Sequence, residues 1–245
     1  MCQAVPRGYD PYIAFQARGC WKGGLLPQHP AEKSSESGSL NGVVGCARSL
    51  RYWRYASSHR PSVNVTMQRI RYRVAMSVDG YIAGPAGEFD WIVNDPTIDF
   101  EELFAQFDTF LLGRKTYELT LQSSSPGFPA GSRALVFSRT LPEQVPGFSV
   151  VREVSRDSVE SIRTQAAKDI WLFGGGELFR SFLALGLVDT VEVAVIPVLL
   201  GQGLQFLPQP AGRARLRLTN QRTYPSGIVL LEYDVQGSAP WQQHV

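Results

Sequence analysis

The chain has 245 residues, of which 44% are hydrophobic and 19% charged, an ordinary composition for a globular protein with a sizeable core. The formal charge of +2 is uneven: residues 1–66 carry eight Lys/Arg against three Asp/Glu, and residues 67–245 carry 16 against 19. The mildly acidic main part argues against an extended nucleic-acid surface, and the lack of a run of about 18 apolar residues predicts a cytoplasmic protein without a membrane span.

Cysteine and histidine are almost absent from the main part of the chain. All three cysteines lie within residues 1–66, as do His29 and His59, while His244 lies near the C-terminus. Residues 67–243 therefore lack the side chains for Ser-His-Asp or Cys-His catalysis, for zinc sites built from thiolates or imidazoles, and for disulfides. We expect no metal in this region.

Residues 1–66 show no sustained hydrophobic period, and Pro27 to Leu40 has the polar composition of a disordered linker. The arginine-rich stretch from Arg48 to Arg60 would suit an organelle transit peptide, but no clear amphipathic helix accompanies it. We therefore predict a disordered or non-native extension over 1–66, one domain over 67–237 and a short tail over 238–245.

The first predicted strand spans Ile70 to Met76, where apolar residues alternate with arginines, and Ser77-Val-Asp-Gly80 ends it. Ligands bind at the carboxyl ends of strands in open α/β sheets, so Asp79 is a candidate site residue; a simple Asp-Gly turn is the alternative. Further along, the spacing of Asp99 and Glu102 predicts a helix N-cap at Asp99 rather than a catalytic acid.

The next two predicted strands also end in groups suited to an anion. Thr109 to Leu112 runs into Gly113-Arg-Lys-Thr116 and a helix, and Arg133 to Phe137 runs into Ser138-Arg-Thr140. Glycine, cations and hydroxyls at the start of a helix suit a phosphate, although the glycine spacing of a Walker loop is missing. The alternative is that Arg114 and Lys115 are a solvated surface pair.

A fourth strand end is built from glycine alone. After a strand from Ser149 to Arg152 and a helix from about Asp157 to Ala167, the apolar run beginning at Asp169 stops at Gly174, Gly175 and Gly176, and a helix from Glu177 to Leu185 follows. Residues without Cβ allow a ligand to approach the backbone, and the free N–H groups of a helix's first turn attract phosphate. A tight turn with no ligand is the alternative.

The remaining elements are a strand from Thr190 to Ile196, predicted to be buried on both faces, and a C-terminal hairpin of Arg215 to Thr223 and Ile228 to Val235. No helical pattern follows Gly201-Gln-Gly203, so this motif is not read as a phosphate loop. We expect a homodimer, because the Val191 to Leu200 region and the hairpin offer apolar edge surface.

Five motifs together resemble the dihydrofolate-reductase-like family, and within it the reductase domain of the bifunctional riboflavin-biosynthesis deaminase-reductase. They are Met76-Ser-Val-Asp-Gly-Tyr-Ile-Ala83, Leu112-Gly-Arg-Lys-Thr-Tyr-Glu118, Phe137-Ser-Arg-Thr140, Phe173-Gly-Gly-Gly-Glu-Leu178 and Pro197-Val-Leu-Leu-Gly-Gln-Gly203. The resemblance runs in order from about Met67 to Val235. It implies an α/β fold with a mixed, mostly parallel sheet flanked by helices, ending in an antiparallel hairpin.

The resemblance also implies NADPH as the cofactor. Its phosphates, including the 2′-phosphate, would be held by Gly113, Arg114, Lys115, Thr116, Ser138 and Arg139, and its pyrophosphate by Gly174, Gly175, Gly176, Glu177 and Leu178. The substrate would lie against Ser77, Asp79 and Trp91. We take Asp79 as the catalytic candidate, which would orient a polar substrate or relay a proton.

Two departures from the family limit the function. Residues 1–66 lack the His-x-Glu and Pro-Cys-x-x-Cys pattern of the deaminase half, so we expect only the reductase half in this chain. Folate reductases carry an acidic residue at the start of their first long helix, and neither Asp95 nor Asp99 is a secure counterpart of it. We therefore expect an NADPH-dependent reductase of a small polar heterocycle, of the 5-amino-6-(5-phosphoribosylamino)uracil type. A stand-alone pterin or dihydrofolate reductase and a nucleotide-binding module without turnover are the alternatives.

Overall fold

A nine-stranded sheet organises residues 68–122 and 128–239, the part of the chain that the computed structural model describes. The predicted extension over residues 1–66 and most of the predicted tail lie outside these residues. The strands are β1 (Ile70–Ser77), β2 (Tyr81–Ala83), β3 (Phe107–Gly113), β4 (Arg133–Phe137), β5 (Gln144–Val145), β6 (Phe148–Val151), β7 (Asp169–Gly174), β8 (Thr190–Ile196), β9 (Leu204–Gln205), β10 (Arg213–Thr223) and β11 (Val229–Ala239). The helices are α1 (Phe100–Ala105), α2 (Arg114–Gln122), α3 (Arg156–Gln165) and α4 (Gly176–Ala184).

The main sheet has the strand order β10-β11-β8-β1-β7-β3-β4-β6-β5. The six strands from β8 to β6 are parallel, while β10 and β11 at one end and β5 at the other are antiparallel to their neighbours. The short strands β2 and β9 form a separate antiparallel pair. This arrangement confirms the predicted mixed, mostly parallel sheet with a C-terminal hairpin.

Apolar residues bury both faces of the sheet. On one face, Tyr72 of β1 stacks on Phe179 of α4 in the larger core cluster, which Val159 and Ile162 of α3 join. On the other face, Phe104 of α1 packs against Trp171 in a second cluster, which includes Tyr117 of α2. The helices thus lie on both sides of the sheet, as expected for a parallel sheet joined by helical crossovers.

Local signals fixed the helix starts. Asp99 accepts a hydrogen bond from the Glu102 N–H at 2.9 Å, which confirms it as the N-cap of α1. Ser155 and Ser158 form a reciprocal capping box at the start of α3. None of the helices in the described part of the chain is long and apolar enough to cross a membrane.

The expected edge surface at Val191 to Leu200 is wrong. Strand β8 lies inside the sheet, with β1 on one side and β11 on the other, and its residues are almost all buried. The hairpin does form the edge, because β10 is the end strand of the sheet and all of its residues except Ala214 are exposed. An apolar run indicates burial, but it does not show whether another strand or a partner provides that burial.

Candidate functional site

The structure brings three of the predicted anion-binding strand ends together. Strands β7, β3 and β4 are neighbours and parallel, so that Leu112 pairs with Gly174 and Gly113 pairs with Phe137. Their carboxyl ends therefore lie side by side at one edge of the sheet. The glycine turn after β7, the first turn of α2 and the Ser138-Arg139 turn meet there.

The glycine turn lies against the first turn of α2. Gly174 has a φ of 155°, the Gly174–Gly175 peptide bond is cis, and Gly175 is the N-cap of α4 without a side-chain hydrogen bond. A Cβ built on Gly175 would lie 3.4 Å from the Thr116 Oγ1. A backbone turn free of side chains is thus placed beside a threonine hydroxyl and the positive end of a helix dipole, which together suit a phosphate.

The last two predicted pyrophosphate residues differ in what they can offer. Glu177 points outward and pairs with Arg180 at 2.5 Å, so its backbone N–H in the first turn of α4 is the group available to an anion. Leu178 is buried, and its N–H donates to the Gly175 carbonyl at 3.0 Å. Leu178 therefore supports the turn from within the core.

The cations predicted at this edge are exposed. Arg114 pairs with Glu118 at 2.6 Å along α2, and both side chains are exposed. Lys115 and Arg139 are also exposed, and neither side chain forms a hydrogen bond or ion pair with the described residues. Ser138 is buried, and its hydroxyl accepts a hydrogen bond from the Leu141 N–H at 3.1 Å. Ser138 therefore shapes the turn that presents Arg139.

Asp79 lies at the end of β1 and is bound on both carboxylate oxygens. Oδ1 accepts a hydrogen bond from the Ser77 hydroxyl at 2.6 Å, Oδ2 accepts one from the Gly201 N–H at 2.7 Å, and the Leu200 nitrogen lies 3.1 Å from both oxygens. The hydrogen bond from Ser77, followed by those from Gly201 and Leu200, lowers the pKa of Asp79 to about 2. The carboxylate is therefore ionised at neutral pH.

Of the other predicted substrate residues, Ser77 contacts Asp79 directly and Trp91 packs near the end of β1. Ser77 is fully buried, and its hydroxyl also accepts a hydrogen bond from the Tyr81 N–H at 3.0 Å. Trp91 is half-buried beside a cluster that contains Ala75 and Ile196, and its indole donates to the Glu88 carbonyl at 3.1 Å. Direct contact of these residues with a substrate stays a prediction.

Both acids near the first helix have structural partners. Asp95 is buried, and it accepts hydrogen bonds from the Thr97 N–H and from the Ser226 N–H, each at 2.9 Å. Contacts with Ser226 and Thr97 hold the pKa of Asp95 well below its usual range. Asp99 caps α1. Neither carboxylate is thus a free group facing a ligand.

The motif from Pro197 to Gly203 was found in the sequence, but the packing of the segment from Pro197 to Pro208 across this edge was not predicted. Its strand β9 pairs with β2, and a Cβ on Gly203 would lie 2.1 Å from the Ala83 carbonyl oxygen. A Cβ on Gly176 would lie 2.5 Å from the Gln205 carbonyl oxygen. Gly203 was the available signal, since a residue without Cβ permits this close backbone approach.

Two known proteins are similar to this chain in sequence. YyaP of Bacillus subtilis (strain 168), an uncharacterized protein, is 33% identical over 185 residues, which cover 71% of this chain and 98% of YyaP. The riboflavin biosynthesis protein RibD of Corynebacterium ammoniagenes is 23% identical over 164 residues, covering 61% of this chain and 49% of RibD.

A solved structure shows the same fold. It is the diaminohydroxyphosphoribosylaminopyrimidine deaminase/5-amino-6-(5-phosphoribosylamino)uracil reductase of Thermotoga maritima, with a TM-score of 0.52 and 19% identity. The match covers 69% of this chain and 57% of that one. The family model of the RibD C-terminal domain matches residues 68–230, which include all three converging strand ends. The chain therefore belongs to the RibD C-terminal domain family.

Proposed function

We propose that the protein is an NADPH-dependent reductase of a small polar heterocycle, of the 5-amino-6-(5-phosphoribosylamino)uracil type. The observation that carries the proposal is the meeting of three strand ends, after β7, β3 and β4, in one anion-binding edge. Membership of the RibD C-terminal domain family and the reductase named in the Thermotoga maritima structure support the same reaction class.

The residues present fit a dinucleotide. The glycine turn leaves the backbone accessible, and the N-terminus of α4 carries no side-chain cap, so its amides suit a pyrophosphate. Lys115 and Arg139 are exposed cations without partners among the described residues, at the edge where a 2′-phosphate would need them. When bound, the dinucleotide supplies a hydride, and the chain needs only to hold and orient the two reactants.

The end of β1 offers a place for the substrate, because β1 lies next to β7 and runs parallel to it. Ser77 and Asp79 therefore lie at the same edge of the sheet as the glycine turn. The ionised carboxylate of Asp79 is a poor proton donor at neutral pH, which disfavours the proton relay considered from the sequence. Ser77, Leu200 and Gly201 already occupy its two oxygens, so Asp79 would act on a polar substrate through its negative charge and not as a free ligand.

The partners of two acidic residues support this substrate class over a folate. The two acids nearest the first helix, Asp95 and Asp99, already serve as a buried turn anchor and a helix cap. A pterin ring would therefore lack a free carboxylate from this part of the chain.

Single-turnover oxidation of NADPH tests the proposal. Mixing the full-length protein with NADPH and a ribosylaminouracil substrate should remove the near-ultraviolet absorbance of the reduced nicotinamide. Dihydrofolate should cause little loss under the same conditions. If NADPH binds to the protein but its absorbance does not fall with any substrate, the protein would instead be a nucleotide-binding module without turnover.

Replacing Arg139 by alanine should weaken the binding of NADPH but not that of NADH. The 2′-phosphate carries a charge of about −2, and losing one charge-assisted contact in a partly exposed site should cost roughly tenfold in affinity. Fluorescence titration with both nucleotides measures the effect. Arg215→Ala, which removes the same charge from β10, is the control and should leave both affinities unchanged. Equal losses for NADPH and NADH in Arg139→Ala would remove Arg139 from the cofactor site.

We also propose a homodimer that forms along β10. This edge strand exposes 43% of Leu216 and 49% of Leu218, and a long exposed edge strand is a template for pairing with a second chain. Light scattering should give the mass of a dimer for the wild type and of a monomer for Leu218→Lys. A monomer mass for the wild type would refute the proposal.

A further inference from the structure

Asp79 connects two segments that are far apart in the sequence. Its carboxylate accepts hydrogen bonds from the Leu200 and Gly201 amides, which lie more than 120 residues further along the chain. The neighbouring Val78 N–H donates to the Val198 carbonyl at 2.9 Å, and the Phe206 N–H donates to the Gly80 carbonyl at 2.9 Å. The turn after β1 thus forms several hydrogen bonds with residues 198–206, and Asp79 is the residue that contributes a charged group to them.

The same segment closes on the first turn of α4. The Gln205 and Phe206 carbonyl oxygens lie so close to Gly176 that an added Cβ would be 2.5 Å and 3.1 Å from them. The ring of Phe206 packs against Phe179 of α4 at a centroid distance of 5.3 Å. The Arg180 Nη1 donates to the Gln209 carbonyl at 3.1 Å. A shift of residues 198–206 would therefore also displace the first turn of α4, which follows the glycine turn.

We propose that Asp79 is a positioning residue, whose carboxylate fixes the Leu199 to Gly203 loop and, through β9, the first turn of α4 that receives the cofactor. The clamp itself is independent of the reaction. Its effect on the cofactor rests on the proposed function.

The geometry explains why a carboxylate is needed here. One side chain accepts hydrogen bonds from a hydroxyl and two backbone amides, so both of its oxygens are used by the protein. An asparagine has a single, uncharged acceptor oxygen, so it can receive both backbone amides only by turning its NH₂ group toward the Ser77 hydroxyl. Asp79→Asn therefore removes the charge from the hydrogen bonds of the clamp and weakens it with almost no change in volume.

Hydrogen exchange of the ligand-free, full-length protein tests the clamp. In Asp79→Asn, the Leu200 and Gly201 amides should exchange about tenfold faster or more, because they lose charge-assisted hydrogen bonds. Asp90→Asn, at another exposed aspartate on the loop after β2, is the matched control and should leave this exchange unchanged. Ser77→Ala should have a smaller effect, since the carboxylate remains as the acceptor. Unchanged exchange in Asp79→Asn would overturn the proposal.

Nucleotide affinity tests whether the clamp also positions the first turn of α4 for the cofactor. Asp79→Asn should weaken NADPH and NADH by the same factor, because the glycine turn serves the part that they share. The rate of single-turnover hydride transfer at saturating NADPH should keep the pH dependence of the wild type between pH 5 and 9. Loss of a pH-dependent step together with unchanged affinity would make Asp79 a proton-transfer group and overturn the positioning role. If the wild type binds neither nucleotide, the proposed function fails, while the exchange measurement still decides whether the clamp exists.

Discussion

The free energy of unfolding should fall by about 3–5 kcal/mol when Glu192 is replaced by glutamine, because the change removes the counter-charge of the poorly solvated Arg73 and leaves Arg71 only its longer ion pair with Asp169, at 3.3 Å. Glu192 of β8 is only 2% exposed. Its carboxylate lies 2.5 Å from the Arg71 Nε and 2.7 Å from the Arg73 Nη1. The side chains of these arginines are 14% and 13% exposed, so water can replace the lost partner only in part.

Urea denaturation measures this loss, and Glu118→Gln provides the control. Glu118 also pairs with an arginine, but both partners of that ion pair are more than 40% exposed. Exposed ion pairs contribute about 0–1 kcal/mol, so Glu118→Gln should hardly change the free energy of unfolding. If the two variants lost similar amounts of unfolding free energy, burial would not increase the contribution of the Glu192 ion pairs to stability.

Gly176→Ala should damage both stability and cofactor binding. The added methyl group would lie 2.5 Å from the Gln205 carbonyl oxygen and 2.8 Å from the Pro208 Cδ, so the segment over α4 must move. Overpacking of this kind costs about 1–3 kcal/mol of stability. Displacement of the first turn of α4 should weaken NADPH and NADH alike, because the two nucleotides share the pyrophosphate.

Calorimetry of unfolding and titration with both nucleotides check this result. Ser181→Ala changes a residue on the same helix whose hydroxyl donates to the Glu177 carbonyl, and it should have little effect on either measurement. Gly175→Val should weaken both nucleotides with a smaller loss of stability, because a Cβ there would meet only the Thr116 hydroxyl at 3.4 Å. A Gly176→Ala protein with wild-type stability and affinity would contradict the close packing of β9 on α4.

Much of the fold could be predicted from local patterns. The strand from Arg133 to Phe137 and the strand from Thr190 to Ile196 have the predicted bounds, because each is a mainly apolar run bounded by polar residues or proline. Capping spacing located the start of α1 at Asp99. The glycines after β7 marked the change from strand to helix. Each of these signals depends on only a few neighbouring residues, and the folded chain forms the element that the signal predicts.

Long-range pairing accounts for what the sequence did not reveal. Strands β2 and β9 are three and two residues long and exist because they pair with each other, so neither has a period of its own. Asp79 was correctly placed at a strand end, but its partners at Leu200 and Gly201 could not be inferred from an Asp-Gly pair. The order of the strands decided that β8 is internal, and local hydrophobicity does not encode that order.

The central position of β1 has a consequence for synthesis on the ribosome. Its neighbours in the sheet, β7 and β8, begin at Asp169 and Thr190, so the first strand emerges long before either partner exists. At about 5–20 residues per second, the roughly 100 residues up to the end of β7 take about 5–20 s to translate. During this time β1 is unpaired. Arg71 and Arg73 interrupt its apolar residues, and charges in such positions oppose aggregation. The arginines that neutralise Glu192 in the finished sheet would thus first serve as gatekeepers of the nascent chain.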